Sequence, residues 1–96
     1  MNSLEAARAQ INEADAQLAK AFCQRMQACK DIAAYKKEHG LPIKDEKREA
    51  ELITRNLELL EDEDLRGYYE KFLRSNIELS CQYQEDLMNP EVGQND

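Results

Sequence analysis

Glycine and proline are scarce in this chain, three and two among 96 residues. Sustained apolar/polar alternation, the mark of a half-buried strand, is missing, which excludes a turn-rich β architecture. Histidine occurs once, at His39 beside Gly40, so histidine-based triads and multi-histidine metal sites are excluded. Cys23, Cys29 and Cys81 are odd in number and show no C-x-x-C spacing. That argues against a disulfide framework or a zinc site, and the three are expected to be reduced, small and mostly buried. No apolar run approaches the roughly 18 residues of a membrane span, and "MNSLEAARAQ" lacks the basic-then-apolar order of a secretory signal, so the cytoplasm is the expected compartment. Cations are outnumbered, 13 Lys+Arg against 20 Asp+Glu. A net charge of -7 disfavours a nucleic-acid partner or an anionic membrane surface, and any cationic function must be local.

What remains is rich in Ala, Glu, Gln, Lys, Arg and Leu, the composition of an all-α chain. The expected organisation is three helices in one domain. The first starts at Asn2 or Ser3, with Glu5 three residues after Asn2, and runs to about Glu38, where Gly40 stops it. The second starts near Asp45, an N-cap placed after Pro42, and runs to about Leu60. The third follows the acidic corner "EDEDL" and runs from about Asp64 to Leu87. The domain is taken as 1–88, with a polar tail over 89–96 that frays beyond Pro90. A first helix of about 36 residues is roughly 54 Å long, more than a domain of this size is wide. It cannot bury its apolar stripe within one chain, so an intertwined two-fold homodimer is expected.

Read in sevens, that helix carries Leu4, Ile11, Leu18, Arg25 and Ile32 in one series, and Arg8, Asp15, Phe22, Cys29 and Lys36 in the other. Three cations therefore stand in an apolar stripe. A charge facing a core is costly unless paired, and arginine there commonly meets a carboxylate or phosphate. Asp15 and nearby acids could neutralise them, or their stems could snorkel outward; three together favour an anion pocket. Arg25 and Lys36 lie on nearly one face, roughly 16 Å apart along the axis, and their long side chains can converge on one small ligand. Arg8 is roughly 42 Å from Lys36 and must serve a different site. In an antiparallel pairing of two copies, the Arg8 of one chain arrives near Arg25 and Lys36 of the other. The third helix reads Tyr69, Leu73, Ile77, then Ser80 and Gln84, then Leu87, so two neutral polar groups face inward and require partners. A shift of one residue would bring Leu79 and Tyr83 to those positions instead.

The chain resembles the all-α class of chorismate mutases from about Leu4 to Leu87. The resemblance is carried by Arg8 in "RAQINEAD", Arg25 in "QRM", Lys36 in "AYKKEHGLPI", Asp45, Arg48 and Glu49 in "KDEKREAEL", and Ser80 and Gln84 in "ELSCQYQ". It implies a six-helix homodimer with two sites that rearranges chorismate to prephenate. By the same resemblance Arg25, and Arg8 from the neighbouring chain, bind the two substrate carboxylates, and Lys36 and Gln84 hydrogen-bond the ether oxygen of the breaking bond. Glu49, helped by Asp45 and Arg48, takes the ring hydroxyl, and Ser80 lies near a carboxylate. Capping alone would also explain Asp45, a neighbouring acid could claim Arg48, and Lys37, Lys44 and Lys47 are most simply solvated. A unimolecular pericyclic step requires no nucleophile, general base, metal or cofactor, in keeping with the residues on offer. Isochorismate pyruvate-lyases share the fold but tend to lack an acid at the Glu49 position, so "KREAEL" favours the mutase. A non-catalytic helical interaction module is the third reading.

Overall fold

Ser3–His39 forms one uninterrupted helix of 37 residues, α1. A computed structural model describes residues 2–89; the tail from Pro90 onward lies outside the described residues. At the start of α1, Asn2 is the N-cap, its side chain accepting the Glu5 amide at 2.8 Å. At the end, Gly40 adopts φ 64°, a left-handed conformation that glycine enters without the Cβ penalty. The Leu41 amide then reaches back to the Lys36 carbonyl (2.8 Å) and that of Gly40 to Lys37 (3.4 Å). This is the paired bonding that closes a helix over a glycine.

The second helix, α2, spans Glu46–Glu58 behind the Asp45 N-cap, whose carboxylate accepts the Arg48 amide at 3.1 Å. One 3-10 turn, Glu63–Leu65, follows, and the third helix, α3, spans Arg66–Met88. The expected start at Asp64 is thus taken by the tight turn, because the Asp62 carboxylate bonds the Asp64 amide two residues on and winds the chain locally. α2 stops at Glu58 rather than Leu60.

α3 packs against both α1 and α2, which do not approach each other directly. It runs parallel to α1: Leu18 and Phe22 stand beside Tyr69 and Phe72, Arg25 reaches Ser80, and Lys37 lies near Leu87. The interior is thin. Cys29, Ala33, Leu57 and Leu73 are buried with Ser80 and Gln84, and among the described residues no large side chain is completely enclosed. From Ser3 to Gln24 every residue of α1 is exposed, so this half of the helix projects with little cover from its own chain, which meets it at Leu18 and Phe22. The radius of gyration of 16.8 Å exceeds the about 12.5 Å of a compact domain of this length. Cys23 is exposed and Cys81 half-buried, so only Cys29 is as deep as expected. The reason is placement: Cys23 lies on the free half of α1, where nothing covers it.

Candidate active site

α3 separates α1 from α2, and the three helices enclose a cavity of about 500 Å³. Arg25, Ile32 and Lys36 line it from α1, Arg48, Glu49 and Leu52 from α2, and Ser80 and Cys81 from α3, with Ile43 and Asp45 closing the connection. Burial grades from floor to rim. Ser80 and Cys29 are buried, Arg25, Lys36 and Glu49 half-buried, and Asp45, Arg48 and Arg55 exposed.

The Arg25 guanidinium donates to Ser80 Oγ at 3.0 Å, and Ser80 donates in turn to the Asn76 carbonyl at 2.8 Å. Arg25 has no carboxylate partner among the described residues, so its charge faces the cavity uncompensated. Lys36 donates to the Ile43 carbonyl at 2.6 Å. The Gly40 turn makes this possible by folding the chain back over the last turn of α1, and the ammonium keeps two further donors. Glu49 is approached by Lys44 Nζ, 3.4 Å from both carboxylate oxygens, and by the Cys81 thiol at 4.0 Å. Burial pushes the Cys81 thiol above its ordinary range and the Glu49 carboxylate adds to this, against a smaller downward pull from Lys44 and Lys36. Arg48 points one guanidinium nitrogen at Glu51, 4.0 Å away across an exposed surface, a contact that binds weakly.

Six of the eight anticipated residues therefore come together: Arg25, Lys36, Asp45, Arg48, Glu49 and Ser80. Gln84 stands one turn beyond Ser80 and is buried, and its Oε1 is the one buried side-chain polar atom without a partner among the described residues. The register of α3 is the one that turns Ser80 and Gln84 inward; Leu79 is 54% exposed. Arg8 lies on the projecting half of α1 and does not reach this cavity. Lys44 is solvated as expected, its side chain 65% exposed, and it also stands 3.4 Å from Glu49. Arg55 and Asn56 also line the cavity and were not anticipated. Arg55 could have been read from its position seven residues after Arg48, two turns on along the same face, whereas the five-residue separation of Lys44 and Glu49 gives no helical signal.

The family profile of chorismate mutase type II matches residues 7–85. The chain belongs to that family. None of the curated proteins and none of the solved structures matches it. The matched span contains all eight residues from Arg8 to Gln84, the whole of α2 and most of α1 and α3. A chorismate mutase is an isomerase, and membership makes this chain an enzyme that takes chorismate to prephenate within the shikimate route to aromatic amino acids. Its all-α fold is that of the family. Among the described residues no helix is long and apolar enough to cross a membrane.

Proposed function

We propose that the rearrangement takes place in the cavity between the three helices, by conformational restraint and electrostatic stabilisation without a covalent intermediate. Arg25, backed by Ser80, binds one carboxylate of chorismate, and Arg8 of a second copy binds the other. Holding both ends keeps the enolpyruvyl arm over the ring, and positioning of this kind removes several kcal/mol, on the order of what oriented intramolecular reactions gain. As the C–O bond breaks and the C–C bond forms, negative charge grows on the ether oxygen. Lys36 and Gln84 donate to it there and stabilise the transition state more than the ground state. Glu49, with Asp45 and Arg48, accepts the ring hydroxyl.

The observation that carries this reading is the convergence of an unpaired Arg25, a Lys36 with donors to spare and a half-buried Glu49 from two helices onto one cavity of about 500 Å³. The homodimer is supported by an apolar groove of about 450 Å³ that adjoins the cavity, shares Arg25, Leu52, Asn56 and Ile77 with it, and is walled by Phe22, Tyr69 and Phe72. Leu4, Ile11 and Leu18 are exposed along the free half of α1, at 57%, 58% and 50%, and match that groove in chemistry. An antiparallel second copy laid in the groove carries its Arg8 towards the cavity. The functional domain is 1–88, and the enzyme acts in the cytoplasm without nucleic acid, membrane or cofactor.

The test is complementation. Arg8→Ala and Arg25→Ala are each expected to lower kcat/KM by orders of magnitude with helicity unchanged. A refolded equal mixture should regain about a quarter of wild-type activity, because half the dimers then carry one intact site of two. No recovery in a verified heterodimer overturns the shared site. Prephenate from chorismate, without pyruvate from isochorismate, is the expected product pattern.

A further inference from the structure

Arg48, Leu52 and Arg55 follow one another down the cavity-facing side of α2, at spacings of four and three residues. Arg55 is exposed, so it stands at the open rim rather than the floor. Glu51 lies four residues before it and Glu58 three after, both within helical pairing range, yet the ion pairs among the described residues are Lys44–Glu49, Arg48–Glu51, Arg66–Glu63 and Arg74–Glu70. Arg55 pairs with neither neighbour. Its adjoining residue, Asn56, is neutral and donates to the Leu52 carbonyl at 2.7 Å, which leaves Arg55 the cation at this end of the α2 wall. The chain as a whole carries -7, and a dianionic substrate is repelled at a distance. A local cation at the cavity mouth opposes that repulsion where it matters.

We propose that Arg55 is a substrate-recruiting residue: its guanidinium receives a carboxylate of the incoming dianion at the rim and passes it to Arg25. This rests on the cavity assignment made above. A rim charge acts on encounter and weak binding, so its signature is in KM and in salt dependence rather than in the chemical step.

Arg55→Gln is expected to raise KM about three- to ten-fold at low ionic strength with kcat within about two-fold, and to flatten the fall of kcat/KM with added salt. Arg55→Lys, which keeps the charge, should restore most of both. An unchanged KM and salt slope in a folded Arg55→Gln overturns the proposal. So does a loss in kcat equal to the loss in kcat/KM, which would mean a role in the chemistry. A weakened dimer with unchanged KM also overturns it and makes Arg55 an interface ion pair. Arg25→Ala measured alongside separates the two levels: if it retains full kcat/KM, the cavity assignment itself fails, whatever Arg55 does.

Discussion

Lys36 commits one ammonium proton to the Ile43 carbonyl, a neutral acceptor, and so is held in place without being neutralised. On the proposed assignment its charge is aimed where negative charge develops, and Lys36→Ala should lower kcat by about 10²- to 10³-fold, as removal of one such donor does elsewhere. Steady-state kinetics on the folded variant checks this, and unchanged kcat would remove Lys36 from the mechanism. Cys81 offers a probe of the same field. Its thiol is held up first by burial and then by Glu49, so at pH 8 it should alkylate far more slowly than the exposed Cys23. Glu49→Gln removes a negative charge 4.0 Å from the sulfur and should shift the Cys81 reaction midpoint to lower pH. Lys44→Ala removes a compensating cation and should shift it upward. Peptide-resolved alkylation across pH reads both, and a midpoint indifferent to Glu49 would mean the carboxylate faces away in solution.

At the scale of the element, the connection from α1 to α2 performs two jobs with few residues. Gly40 reverses the chain so that Ile43 meets Lys36, and Asp45 starts α2 so that Glu49 faces the cavity one turn later. Gly40→Ala forces an L side chain into φ 64°, where no neighbour crowds the Cβ but the backbone itself is strained. The expected cost is about 1 kcal/mol, seen as a fall of roughly 4–8 °C in Tm for a domain of this length, with weaker activity because the Lys36 carbonyl partner is displaced. The capping role of Asp45 can be separated from the binding role proposed for it. Asparagine caps a helix about as well as aspartate, so Asp45→Asn should hold Tm while Asp45→Ala loses about 1 kcal/mol. Any rise in KM in the asparagine variant at constant Tm then reports the carboxylate's part in binding.

The whole molecule is dominated by what one chain leaves uncovered. Half of α1 is exposed throughout, and its Leu4, Ile11 and Leu18 form one stripe. A dimer that covers this stripe gains stability by mass action, so Tm should rise with protein concentration, as a monomer's would not. Leu18→Glu inserts a charge in the apolar groove and should shift sedimentation towards monomer and abolish activity together. A fully active monomeric Leu18→Glu would dismiss the shared site.

The ends of the helices were legible from residue types: Asn2, Gly40 and Asp45 act at the positions their chemistry dictates, since capping involves only neighbours a few residues away. So was the presence of two cations in the apolar stripe of α1, because Arg25 and Lys36 interrupt an apolar period that needs no partner to be seen. The start of α3 was missed by two residues because Asp62 makes a local turn that competes with the helix. Cys23 was misjudged because burial depends on what another helix covers. The meeting of the solvated Lys44 with Glu49 was not foreseen because it depends on the path of a loop. Local chemistry and periodicity are thus written along the chain, as all-α content, helix limits and the polar residues of each stripe. Which of those residues share one space was decided only when α3 packed between α1 and α2, since convergence is a property of distances between residues as far apart in sequence as Arg25 and Ser80.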